Sequence, residues 1–164
     1  IVVTKALKKE NIGDMAYQLA VSFGKGEGKV LYIDADLRQN SESEQVGLTN
    51  VLNGSVAWKE AVKKAEDNEV YVLNAGTQCK TPSEILDSEA FQDLLTELEK
   101  EYACIIFSTP SMIDYIDAAI VASQCDGVVL AVEYGKTDFP YVKKAMKQLE
   151  YVGASVIGSV ISKN

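Results

Sequence analysis

The chain has 164 residues, 47% of them apolar and 24% charged, with a net charge of −8 and no histidine. That length suits one domain, and the balance of apolar to charged residues excludes a disordered or fibrous chain. The negative charge, with Lys and Arg scattered among acids, argues against nucleic acid as a partner, and no apolar run reaches the roughly 18–20 residues of a spanning helix.

In chain order, the apolar run Ile1 to Thr4 reads as a strand that enters the polar loop Lys5 to Gly13, and Asn11 to Phe23 reads as the first helix. Because the chain opens inside that apolar run, it is expected to be a single domain, 1–164, taken from a longer protein. GKGEGK at 24–29 follows a helix and precedes a strand, so its glycines suit a helix stop and tight turn, the reverse of a phosphate loop's order. The second strand, Val30 to Ile33, runs into VLYIDADLR (30–38) and delivers Asp34 and Asp36 to its carboxyl end. Two carboxylates two residues apart on a strand point the same way, which suits a hydrated magnesium ion. Equally, such carboxylates cap a loop by accepting backbone N–H bonds.

Further strands are expected at 70–74, 103–107, 127–132 and 155–161, and helices at 58–65, 88–101, 115–123 and 139–151. Unbroken apolar strands alternating with amphipathic helices call for crossover connections and a doubly wound, mostly parallel α/β/α sheet. Ligands of such sheets lie beyond the carboxyl ends of the strands, so chemistry belongs after Thr4, Ile33, Asn74 and Phe107. Cys79, Cys104 and Cys125 are odd in number and lack histidine companions, which points to a reducing compartment and away from zinc. Cys104, inside the run 103–107, reads as a small core residue.

Four segments occur in a fixed order: VLYIDADLR, GLTNVLNG (47–54), NAGTQCKTPSEIL (74–86), and Asp117-Ala118 ahead of QCDGVVLAVEYGKT (124–137). Together they resemble the bacterial tyrosine kinases of capsule and exopolysaccharide export. The likeness covers essentially the whole chain, and Thr81-Pro82-Ser83-Glu84 is its most specific piece. MinD-like division-site and pilus-localising ATPases share the implied P-loop fold and the Asp34-x-Asp36 strand.

The resemblance implies a first strand leading into a loop that ends in Gly-Lys-Ser/Thr, and a later strand ending in Asp-x-Pro. On that alignment Lys9 and Asn11 stand at glycines, Ile12 at the lysine, Gly13 at the magnesium-binding hydroxyl and Asp14 just after it. Ser108 stands at the Walker B aspartate, with Pro110 at its proline. An isoleucine cannot meet a phosphate, and a serine organises magnesium far more weakly than a carboxylate. In their place Asn11 is an N-cap, and Asp14 supplies the new helix with its own anion where a phosphate would sit.

Three functions follow as expectations. The first is a catalytically impaired kinase-like regulator or scaffold that binds no cofactor, in which Asp34 and Asp36 are vestiges of a magnesium and catalytic-base site. The second is an active magnesium-ATP-dependent kinase using Lys5, Lys8 or Lys9 in place of the missing lysine. The third is a positioning protein akin to the division-site ATPases. The implied partner is a membrane polysaccharide co-polymerase or another kinase-family protein, with a homo-oligomer as a further option. The implied location is the cytoplasm, at the inner face of the plasma membrane.

Overall fold

A computed structural model describes residues 1–10, 14–26, 28–38, 45–66 and 69–163. In chain order the elements are β1 (Val2–Lys5), α1 (Met15–Phe23), β2 (Val30–Asp34), α2 (Leu48–Leu52), α3 (Trp58–Ala61), β3 (Lys63–Lys64) and β4 (Val70–Leu73). They continue with α4 (Pro82–Leu86), α5 (Glu89–Glu101), β5 (Cys104–Ser108), α6 (Asp117–Ser123), β6 (Val128–Glu133), α7 (Phe139–Tyr151) and β7 (Val156–Ser162). The chain divides into two compact units, residues 1–15 with 109–164, and residues 16–108.

In the first unit β1 pairs with β6 and β6 with β7, all parallel, from Val2 opposite Val128 to Glu133 opposite Ser162. Val2, Val3, Leu130 and Ala131 are buried, as strands covered on both faces require. The helix α6 presents the small buried residues Ala118, Val121 and Ala122, and α7 buries Ala145 and Leu149, one turn apart.

In the second unit the strands run β3, β4, β2, β5, parallel except for the two-residue β3. Val30 to Asp34 of β2 lies opposite Cys104 to Ser108 of β5, with Leu31, Ile33 and Ile106 fully buried. The longest helix here, α5, starts where the Ser88 side chain accepts the Phe91 N–H, and it buries Phe91, Leu94, Leu95 and Leu98 as one stripe. Phe91 meets Phe107 edge to face with ring centroids 6.0 Å apart, and burial of each such side chain is worth about 1.5–3 kcal/mol.

The mostly parallel α/β architecture expected from the sequence is therefore present, with the described pairings within each unit parallel except that of β3 with β4. Two local expectations are corrected. The helix expected over 58–65 stops at Ala61, because Val62 turns extended and Lys63–Lys64 pairs antiparallel with Val72 and Tyr71. The helix expected from Tyr115 begins at Asp117. The first helix is described from Met15, and the expected start at Asn11, with Ile12 and Gly13, lies outside the described residues. Among the described residues, no helix is long and apolar enough to cross a membrane.

The described residues 24–26 and 28–29 lie between α1 and β2, as their order in the chain required. Gly28 has φ of +105°, and a Cβ on it would lie 2.6 Å from that of Ala103, so only glycine fits there.

Candidate functional site

In the first unit, the site to inspect is the loop that leaves the carboxyl end of β1. Residues Lys5 and Ala6 are stitched to the segment after β5: Met112 donates its N–H to the Lys5 carbonyl (2.7 Å) and Ile113 to that of Ala6 (3.2 Å). Beneath them the Thr4 hydroxyl donates to the Pro110 carbonyl at 2.9 Å. Pro110 thus contributes a buried acceptor that anchors the base of the loop.

The next residues fold around a buried carboxylate. Glu10 is only 2% exposed. Its Oε2 accepts the Leu7 N–H at 2.6 Å, and its Oε1 accepts the Thr137 hydroxyl. The Thr137 oxygen in turn accepts the Glu133 N–H at 3.0 Å, which fixes its orientation. The Glu10 N–H goes to the Leu7 carbonyl, and the Glu10 carbonyl accepts from Lys5 Nζ at 2.9 Å. A second carboxylate closes the other side: Asp114 Oδ2 accepts both the Lys8 N–H and the Ser111 hydroxyl, each at 2.7 Å. The N–H groups of Leu7, Lys8 and Glu10 are therefore all committed inside the protein. A phosphate loop works by turning such groups toward an outside anion.

The candidate lysines are held or exposed. Lys5 serves the Glu10 carbonyl, and Lys8 reaches the Tyr115 hydroxyl at 3.3 Å with its ammonium 5.8 Å from the ring centroid. Lys9 is exposed. Asn11, Ile12 and Gly13 fall outside the described residues, and so do their assigned places in the loop. Asp14 is exposed and immediately precedes Met15, the first residue of α1, one position before the first turn in which the sequence placed it. The internal anion of the described loop is Glu10.

In the second unit, Asp34 ends β2 directly opposite Ser108, the last residue of β5. Asp34 Oδ1 accepts the Asp36 N–H at 3.0 Å, and Asp36 Oδ1 accepts the Arg38 N–H at 3.3 Å. Each carboxylate caps the backbone two residues on. The Ala35 N–H bonds the Ser108 carbonyl at 2.8 Å, tying the two strand ends together. Burial pushes the Asp34 carboxyl up from 3.8 to about 6, against the lowering pull of the Asp36 N–H, and the Asp36 charge adds to the rise. Among the described residues, no group of three or more His, Cys, Asp or Glu side chains is placed to hold a metal ion.

The GLTNVLNG and NAGT segments meet in the same unit. Asn50 Oδ1 accepts the N–H groups of Gly47 (3.1 Å) and Thr77 (3.2 Å), while Leu48 and Thr49 donate theirs to the carbonyls of Asn74 and Ala75. A Cβ on Gly47 would overlap the Asn74 carbonyl and the Gly76 amide. Gly76 itself has φ of +89° and would place a Cβ 2.6 Å from Asn50 Oδ1. These motif residues form a clamp between the start of α2 and the end of β4. The Thr81-Pro82-Ser83-Glu84 segment opens α4 with proline in its first turn, where its missing N–H costs nothing.

Glu10, Ser111, Asp114 and Thr137 were not singled out from the sequence. Glu10 to Leu7 is a contact within one turn and could have been found as a local carboxylate-to-amide pair. Asp114 and Thr137 come from 106 and 127 residues away and left no local signal.

No family model matches the chain. Tyrosine-protein kinase YwqD of Bacillus subtilis is 32% identical, over 99% of this chain and 71% of that protein. Among solved structures, the VpsO kinase domain is 28% identical with a TM-score of 0.93, over 99% of this chain and 83% of that one. The chimerical protein CapA2B2 is 26% identical with a TM-score of 0.91, over 98% and 74% of the two chains. With the strand-end carboxylates, the glycine clamp and the proline-opened helix in place, and with that identity held across nearly the full chain, this protein belongs to the bacterial tyrosine kinase family.

Proposed function

We propose that this domain acts in capsule or exopolysaccharide production as a kinase-like regulator or scaffold that does not itself transfer phosphate. The observation that carries the reading is the facing pair at the ends of β2 and β5. Ser108 stands where the family resemblance calls for the Walker B carboxylate, and opposite it burial raises the Asp34 carboxyl to about 6. Magnesium–nucleotide chemistry draws on carboxylates at both strand ends; the neutral Ser108 hydroxyl supplies no charge, and burial disfavours the charged form of the one carboxyl that remains opposite it. The described residues do not fit a magnesium–nucleotide complex, because the amides of the loop after β1 are also committed to carboxylates.

Without phosphoryl transfer the domain works by binding. Its partner is a membrane polysaccharide co-polymerase or a kinase-family protein, met at the cytoplasmic face of the plasma membrane, and a homo-oligomer is the other assembly open to it. The likeness to CapA2B2, solved as a chimera, favours a partner protein. The competing reading, an ATP-dependent protein-tyrosine kinase, draws on the 32% identity with YwqD.

Calorimetry with magnesium-ATP and an autophosphorylation assay separate the two. The unaltered domain is expected to give neither binding nor transfer. A variant carrying Lys9→Gly, Asn11→Gly, Ile12→Lys, Gly13→Ser, Asp14→Thr and Ser108→Asp, with Glu10→Gln and Asp114→Ala to release the loop amides, should gain magnesium-ATP binding, whereas Ile12→Lys alone should not, since these groups act as one unit around one metal–phosphate cluster. ATP hydrolysis by the unaltered domain that disappears in Asp36→Asn would overturn the reading.

A further inference from the structure

The loop after β1 is more than a phosphate loop with residues missing. In its described part, residues 6–10, the amides are already taken. Glu10, 2% exposed, turns its carboxylate back onto the Leu7 N–H and is gripped from the other side by the Thr137 hydroxyl. Thr137 is itself oriented by the Glu133 N–H, so the turn after β6 positions the grip. The exposed carboxylate of Asp114 takes the neighbouring Lys8 N–H, and Ser111 holds that carboxylate in place.

A buried carboxylate is tolerated only when its lone pairs are satisfied, and amide donors at 2.6–2.7 Å are the short, charge-assisted kind. From the protein's side, a carboxylate and a phosphate ask for the same thing: several N–H groups converging on an anion.

We infer that residues 6–10, the described part of the loop after β1, carry an internal anionic plug, in which the Glu10 and Asp114 carboxylates occupy the backbone amides of Leu7 and Lys8 and exclude phosphate-type anions from them. Asp34 and Ser108 play no part in this device, which deepens the proposed function and rests with it on the committed amides of Leu7 and Lys8. The plug acts twice: it takes the amide donors, and it places negative charge where an incoming phosphate would have to go. Thr137 is a positioning residue, since it reaches the loop only through Glu10.

The test uses the whole chain with inorganic pyrophosphate, without magnesium or nucleotide, at fixed ionic strength. The amide signals of Leu7 and Lys8 are followed by NMR, and affinity is measured by calorimetry. In the unaltered protein these two amides should not move. In Glu10→Gln/Asp114→Asn, which keeps the side-chain shapes and removes both charges, pyrophosphate should bind at least tenfold more tightly and shift the Leu7 and Lys8 amides. A control with two charges removed elsewhere, Glu89→Gln/Glu99→Gln, should show no such gain, which separates the plug from the general repulsion of a chain of net charge −8.

Saturable movement of Leu7 and Lys8 in the unaltered protein overturns the inference, whatever the variants do. A folded double variant that binds no better than the control overturns it as well. Should the double variant lose its fold, Asp114→Ala alone, which removes the acceptor at an exposed residue, must still expose the Lys8 amide to pyrophosphate, and its failure to do so counts against the plug. Pyrophosphate binding by an unaltered protein that still hydrolyses no ATP sinks the plug and leaves the proposed function standing. ATP hydrolysis by the unaltered protein sinks the proposed function.

Discussion

Replacing Asp34 by Asn should change the pH dependence of stability by an amount the structure sets. Burial raises the Asp34 carboxyl from 3.8 to about 6 in the folded protein, so the folded state holds its proton more tightly than the unfolded state does. Stability then falls as pH rises, beginning near the unfolded value of 3.8 and levelling off above about 6. At about 1.4 kcal/mol per tenfold change in proton affinity, the full cost is about 3 kcal/mol, of which about 2 kcal/mol falls between pH 4.5 and 7.5. The substituted amide carries no charge, and its oxygen can still accept the Asp36 N–H, so the variant should escape this cost. Urea unfolding of both proteins across that pH range isolates the effect, since all other titrating groups cancel in the difference. Asp34→Asn should gain about 2 kcal/mol relative to the unaltered protein on going from pH 4.5 to 7.5, and millimolar magnesium should leave the difference unchanged. A flat difference, or one that shrinks as pH rises, would refute the account of Asp34 as a buried acid with no metal partner.

Gly47→Ala should cost about 3 kcal/mol or more by urea unfolding, because the added methyl meets the Asn74 carbonyl and Gly76 amide, which cannot rotate away. The φ of Gly47 is −164°, open to any residue, so the penalty is one of space alone. Asn50→Ala removes the acceptor for the Gly47 and Thr77 amides and should cost about 1–3 kcal/mol. Ser88→Ala, which deletes the cap on the Phe91 N–H, should lower stability by about 1 kcal/mol and leave the remainder of α5 intact by circular dichroism.

Much of the fold could be read from the sequence because its strands are covered on both faces and therefore unbroken in their apolar character. The expected ranges stopped one residue early at several places, and the reason is consistent. Lys5, Asp34, Ser108, Glu133 and Ser162 are polar residues that still pair as the last members of their strands. A rule that ends a strand at its last apolar residue misses the carboxyl end, where a sheet of this kind keeps its chemistry. β3 was unreadable for a different reason. Two lysines have no strand preference of their own, and only pairing with Val72 and Tyr71 makes them a strand. The sequence pointed to Asp14 as the anion of this region, and the structure adds a second carboxylate, Glu10, inside the loop. Asp14 was chosen because a helix start four residues earlier would have put it in the first turn. The observed α1 starts after it, and the carboxylate that meets loop amides is Glu10, with Asp114 reaching in from a distant segment that no local pattern connects to the loop.

The clamp built from Gly47, Asn50 and Gly76 also bears on how such a chain ages. Its residues are demanded by steric exclusion and hydrogen bonding within the fold, with no reference to a nucleotide. A lineage that gave up catalysis would be free to drift at the loop after β1 and at Ser108, while any drift in the clamp would be penalised by misfolding alone. Kinship detected through the clamp therefore measures inheritance of a scaffold, and a descendant can keep its family's most recognisable letters long after selection for ATP has ceased.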